Sequence, residues 1–170
     1  MRANCTEPGQ LVPNPVEGPR AALDCDAMAL TLARSAQAAI LAAAAAAHPR
    51  EACGLLVGRG AHIADAQPVA NIHPEPLRHF EIDPAVLIAA HKAAREAATS
   101  GGPQVLGYFH SHPDGLARPS ATDAAMASGD GRIWAIAALD AAPSAAGGVV
   151  SLWRDGPSGF EPLCYGLQDG

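Results

Sequence analysis

Aromatic residues are scarce in this 170-residue chain: three Phe, two Trp and two Tyr, 4% of the total. The core must therefore be built mainly from small aliphatic side chains, alanine above all. Charge is sparse too. Charged residues make up 16%, with 11 Lys+Arg against 17 Asp+Glu and a net charge of −6. That balance leaves no basic surface to displace counterions from phosphates, so nucleic acid is excluded as a partner. Long hydrophobic runs are missing. The longest, Ala38 to Ala47, is too short to cross a bilayer, which excludes a membrane partner. No C-x-x-C pair occurs among Cys5, Cys25, Cys53 and Cys164. This argues against a disulfide framework or a four-cysteine zinc site, and four free thiols fit a reducing compartment. Pro8, Pro13, Pro15 and Pro19 break up an opening segment that has no apolar run behind a basic start, so no secretory signal is expected. These readings together predict a soluble, cytoplasmic protein.

What is present is 49% apolar content, enough to bury one core. Residues 1–25 lack periodicity and read as a disordered or extended tail, dispensable for catalysis. Residues 26–170 read as a single domain. A strand is expected between Met28 and Ala33. A helix follows, capped by Ser35, running through Ala47 and ended by Pro49. Cys53–Val57 and Ile63–Val69 read as a hairpin. Asp83 and Pro84 open a helix to about Ala98, with Val86, Leu87, Ala90, Ala94 and Ala97 as its apolar stripe. Val105–Phe109 and Ile133–Leu139 are expected central strands. Val149–Arg154 and Phe160–Leu167 are expected as a closing hairpin around Asp155-Gly156-Pro157. The fold class is α/β or α+β with a mixed sheet.

Chemistry concentrates in Gly107-Tyr108-Phe109-His110-Ser111-His112-Pro113 and Pro119-Ser120-Ala121-Thr122-Asp123. At a strand end, residues two apart share a face, so His110 and His112 form a natural ligand pair. Ser120 and Asp123 read in isolation as a helix-capping pair. Beside two histidines, Asp123 instead completes a three-ligand site with an open fourth position, the catalytic form of zinc coordination. Such a zinc lowers the pKa of its water to about 7 and needs a nearby base. Glu51, just before an apolar strand, is the candidate, against the plainer reading of an exposed strand-start residue. Cys53 reads as a buried structural thiol, and Trp134 and Trp153 as core or near-core. His91 reads as a helix-surface residue, and His73 and His79 as flanking a loop with a structural or solvent role. A metallo-β-lactamase pattern fails because Gly115 stands where its last histidine belongs. An amidohydrolase barrel needs about 250 residues, and an all-β cupin does not suit the Ala-rich helices.

The order Glu51-x-x-Gly54-Leu55-Leu56-x-Gly58, then His110-Ser111-His112, then residues 113–119, then Ser120-x-x-Asp123 resembles the JAMM (MPN-plus) metallopeptidase family. Asn71, Phe80-x-Ile82-Asp83-Pro84 and Pro113 resemble its small stand-alone bacterial members. The resemblance covers about residues 28–165, with no departure from the catalytic motif. It implies a curved mixed β-sheet flanked by helices, in a single domain. It implies one Zn²⁺ per chain held by His110, His112 and Asp123. Glu51 would hold and deprotonate the zinc water, and Ser120 would hydrogen-bond the developing oxyanion. The implied substrate is a ubiquitin-like protein or its conjugate, cut at an extended C-terminal tail. Sulfur-carrier processing and antiphage conjugation systems are both served by the family. The rival reading is a non-catalytic MPN module that docks ubiquitin-like partners. Oligomeric state is left open by the sequence.

Overall fold

Twelve elements follow one another in the order β1 (Leu11–Val12), β2 (Leu30–Ala33), α1 (Arg34–Ala47), β3 (Cys53–Arg59), β4 (His62–Val69), α2 (Pro84–Ala98), β5 (Gln104–His112), α3 (Ala121–Met126), β6 (Ile133–Leu139), β7 (Gly148–Gly156), β8 (Gly159–Leu163) and β9 (Tyr165–Gln168). The structure, a computed structural model, describes residues 11–12, 30–139 and 147–169. Apart from β1, which pairs antiparallel with β9, the expected tail 1–25 lies outside the described residues. The strands form one mixed sheet in the order β1-β9-β2-β4-β3-β5-β6-β7-β8. The expected α+β class with a mixed sheet is what the chain builds. No helix among the described residues is long and apolar enough to cross a membrane.

β5 lies between an antiparallel neighbour, β3, and a parallel one, β6. Close approach there depends on glycine. A Cβ on Gly107 would collide with the Ile133 carbonyl of β6, and one on Gly54 with the Phe109 ring. Alternation along β5 sends Phe109 to one face and Tyr108 and His110 to the other. On the first face α1 lays Ala36, Ile40 and Ala44 against Leu56, Ile63, Phe109, Ala135 and Leu152. On the second, α2 and residues 71–83 cover Cys53, Leu55 and Tyr108, and Phe80 also packs on Trp134 and Ile136. Trp134 and Trp153 are buried, as expected.

Several expectations are corrected. Ser35 does not cap α1. The helix starts two residues earlier, from an extended, buried Ala33 with no side-chain cap. The start is set by β2, whose pairing with β4 and β9 fixes where the chain must turn. Of the expected α2 stripe, Leu87 and Ala90 pack on the core while Val86 is exposed, and no α2 residue is fully buried. Asp83 does cap α2, accepting from the Ala85 amide at 2.7 Å. The last expected strand is two. β8 pairs with β7, whereas β9 joins β1 and β2 at the opposite end of the strand order. Tyr165 explains the break: its buried side chain spans the curled sheet and donates to the Val150 carbonyl of β7 at 2.6 Å. Asp155 is not a turn residue either. It is buried in β7 and accepts from the Ser128 and Gly129 amides at 2.9 and 3.0 Å.

Candidate metal centre

β5 runs three residues beyond the expected Phe109, so His110 and His112 stand within its paired end, on the strand end where they are expected. Strand geometry points both rings the same way, 4.8 Å apart between centroids. Asp123 arrives from α3. Its Oδ1 lies 3.2 Å from His110 Nε2, and its Oδ2 lies 3.2 Å from His112 Nε2. The two Nε2 atoms are 2.9 Å apart. One ligand atom from each residue falls within 4.8 Å of the others. His110, His112, Asp123 and Glu51 are 0, 6, 4 and 7% exposed, so the cluster is recessed.

The donor set fits a metal ion. His112 Nδ1 donates to the Leu116 carbonyl at 2.8 Å. That bond selects the tautomer that presents an Nε2 lone pair to the cluster. His110 Nδ1 is buried without a partner, so what stabilises this ring must act on its Nε2 side. Two nitrogens and a carboxylate, with no fourth ligand clustered among the described residues, are a donor set of the kind that leaves a metal position open. Burial lowers the His110 pKa against the pull of Asp123, keeping the neutral, ligating form. Burial opposes charge on His112 as well, but Asp123 and the Leu116 carbonyl outweigh it and the net shift is upward. Burial would raise the Asp123 pKa, yet bonds from both histidines and the Ser120 amide drive it well below the carboxylate range.

Glu51 sits just before β3, on the face that Cys53 shares. Burial raises its pKa to about 7, with His112 lowering and Asp123 raising it. A carboxylate poised there can take and return a proton near neutrality. Its backbone is held on two sides. Glu51 N donates to the Pro76 carbonyl at 2.7 Å. The neighbouring Ala52 N donates to Ser111 Oγ at 2.8 Å, and Ser111 N returns a bond to the Ala52 carbonyl at 3.0 Å. Ser111 thus clamps the Glu51 segment to the strand that carries the histidines. Ser120 is exposed, and its Oγ accepts from the Asp123 amide at 3.1 Å. A cavity of about 470 Å³ opens beside Glu51, floored by Ala43, Ala46 and Ala47 of α1.

Three of the groups expected near a metal, His110, His112 and Asp123, therefore converge, Ser120 is bonded directly to Asp123, and Glu51 lies near enough to feel the charges of His112 and Asp123. Cys53 is buried, and its thiol is pushed up to about 12 by burial and by Glu51. His73 and His79 lie in the 71–83 segment, rings 4.8 Å apart, and are not among the clustered donors. His91 is half-buried and meets the Tyr108 hydroxyl at 3.1 Å. Sequence reasoning gave no role to Ser111, Leu116, Phe80 or Ser151. The Phe80 ring stacks on His110 at 4.5 Å and 16°. Ser151 donates to the Ala117 carbonyl at 2.7 Å, anchoring the loop between His112 and Asp123 to β7. The local hints were the places of Ser111 between the two histidines and of Phe80 just before a helix-start signal.

Residues 33–155 match the model of a family described as prokaryotic homologs of the JAB domain. Desampylase from Haloferax volcanii is 36% identical over 117 residues, covering 65% of this chain and 81% of that protein. A probable TtuB-protein conjugate cleaving protease from Thermus thermophilus is 39% identical over 75 residues, 44% of this chain and 47% of that one. Among solved structures, a Desulfitobacterium hafniense protein superposes with a TM-score of 0.69 at 31% identity, covering 82% of this chain and 93% of that one. With the family matched over most of its length and the recessed cluster at the end of β5, this chain belongs to the prokaryotic JAB-domain family.

Proposed function

We propose that the protein is a zinc-dependent metallopeptidase or isopeptidase that cuts at the C-terminal tail of a ubiquitin-like protein. The observation that carries this reading is the convergence of His110, His112 and Asp123, with the buried Glu51 electrostatically coupled to His112 and Asp123. The names of the Haloferax and Thermus relatives support conjugate cleavage as the reaction class. His110, His112 and Asp123 would hold one Zn²⁺, which supplies Lewis-acid polarisation of the scissile carbonyl and activation of water.

The remaining steps belong to the protein. Glu51 takes the proton of the attacking water and delivers it to the departing amine, as a base and then an acid. Ser120 Oγ uses a lone pair on the Asp123 amide and keeps its own O–H to donate to the oxyanion as the carbonyl becomes tetrahedral. The packing of Phe80 and Trp134 around His110 keeps bulk water from the histidine side. The test is incubation of the purified protein with a ubiquitin-like protein fused through its tail to a second polypeptide. Cleavage at the tail that stops on chelation and returns with zinc is the expected result. Tight binding without cleavage by the metal-loaded protein refutes the reading and leaves a docking module.

A further inference from the structure

Asn71, the residue two past the end of β4, makes four hydrogen bonds with one amide. Its Nδ2 donates to the Glu51 carbonyl at 3.0 Å and to the His79 carbonyl at 2.9 Å. Its Oδ1 accepts from the His73 amide at 3.0 Å and from the Glu81 amide at 3.1 Å. Every bond goes to backbone, and together they join two parts of the metal centre. One part is the Glu51 segment. The other is the 73–81 segment, which carries Phe80 onto the His110 ring. The backbone reinforces the link: Ile72 N donates to the Glu81 carbonyl at 3.0 Å, Glu51 N donates to the Pro76 carbonyl at 2.7 Å, and Asn71 bridges Ile82.

We propose that Asn71 is a positioning residue that fixes the Glu51 carboxylate relative to the metal ligands, through the Glu51 carbonyl on one side and the Phe80–His110 stack on the other. A saturated amide suits this task. Its two donors and its two-lone-pair oxygen are all used, so the side chain has no alternative partner to rotate toward. Glu51 precedes β3 rather than lying within it, so the strand ladder alone does not hold it. Small displacements of such a base are costly, because catalysis depends on alignment within fractions of an ångström.

The proposal rests on the hydrolytic reading above, and the experiment separates the two. Asn71→Asp changes one donor group into an acceptor and so sets an oxygen against the Glu51 and His79 carbonyls. Asn71→Ala removes all four bonds. Wild type and both variants are loaded with Co²⁺ as an optical probe and assayed on the same ubiquitin-like fusion. Expected are one Co²⁺ per chain throughout and an unchanged cobalt band shape. The pH at which that spectrum changes should be displaced in the variants. kcat should fall by about 10–100-fold with KM little moved, and Asp should be the more damaging. Cobalt loss or a changed band shape would show that Asn71 merely supports the ligands and overturn the proposal. So would a raised KM with intact kcat, or an Asp variant equal to wild type. If Asn71→Ala does not fold, the Asp variant carries the test alone, being nearly isosteric. If wild type cleaves no such fusion, the hydrolytic reading fails, and the cobalt titration still decides the role of Asn71.

Discussion

Ser120 and Asp123 hold each other. Ser120 Oγ accepts from the Asp123 amide at 3.1 Å while Asp123 Oδ2 accepts from the Ser120 amide at 2.6 Å. This is a reciprocal capping box at the start of α3, and the same carboxylate reaches both histidines. The capping and ligand readings of Ser-x-x-Asp are thus one arrangement. The cap holds the carboxylate in the rotamer that faces both histidines, the kind of support that outer-shell hydrogen bonds give to metal ligands.

Ser120→Ala is therefore expected to weaken the metal site as well as the reaction. The substitution removes the Oγ half of the capping box, worth about 1 kcal/mol, and the hydroxyl that would meet the oxyanion, while the backbone amide at 120 keeps its bond to Asp123 Oδ2, so metal affinity should fall by no more than about tenfold. Competition against a chromogenic chelator measures the affinity apart from activity. An unaltered zinc affinity would show that the cap does not organise Asp123.

His112→Ala should abolish both metal binding and activity. The variant removes a ligand and the His112 Nδ1 bond to the Leu116 carbonyl, which keeps only the Arg118 amide. Elemental analysis of wild type purified without chelator should give one zinc per chain, and the variant none. A wild type free of stoichiometric metal would sink the three-ligand assignment.

Glu51→Gln should keep the zinc and lose most of the rate. Glutamine preserves shape but cannot take a proton, and general bases contribute about 10²–10⁴-fold. Residual activity within about tenfold of wild type would remove Glu51 from the base role. Metal content of the same preparation confirms that the loss is not one of cofactor.

The site was legible because its chemistry is written in short spacings. His110 and His112 are two apart and Ser120 and Asp123 three apart, so each pair declares its geometry through strand or helix periodicity. Their supports were not legible, because they are made across the fold. Ser111 meets Ala52 across 59 positions and Ser151 meets Ala117 across 34. Neither serine stands out by type. The same contrast governs the fold. Asp83-Pro84 marked a helix start through local chemistry. The split between β8 and β9 depends on Tyr165 reaching Val150 on the far side of a curled sheet, which no local pattern encodes.

Cys53 should resist alkylation although it pairs with His110 in the β3–β5 ladder. Burial, with Glu51 adding to it, pushes its thiol up to about 12. A raised thiol pKa favours the protonated form, so reactivity stays low through neutral pH and grows only as pH climbs toward that value. At about pH 8 the thiolate fraction is then about 10⁻⁴. Peptide mapping after iodoacetamide should find Cys53 unmodified in the native protein and modified after unfolding. Prompt native labelling would contradict the burial argument.

The final prediction concerns the tail that enters the site. His110, His112, Asp123 and Glu51 are nearly inaccessible to solvent, so a scissile bond must be threaded down to them. A backbone can approach such a floor only where its own side chains are absent or small, which favours glycine beside the cleaved bond. The surrounding segments offer little to grip whatever follows that bond. Only residues 127–132 separate α3 from β6, and the longer segment 70–83 between β4 and α2 is tied down by the bonds of Asn71 to the Glu51 and His79 carbonyls and the His73 and Glu81 amides. Affinity must then come from the tail and the ubiquitin-like body, with main-chain hydrogen bonding the natural means for an extended segment. Cleavage is expected after a Gly-ending tail with little preference for the attached amine. A tail series checks this. Replacing the last glycine by a bulky residue should abolish turnover, whereas exchanging the leaving peptide or lysine linkage should change kcat/KM only modestly. The reverse pattern, tolerance of a bulky final residue with strict choice of linkage, would refute the threading argument and move the specificity to the leaving-group side.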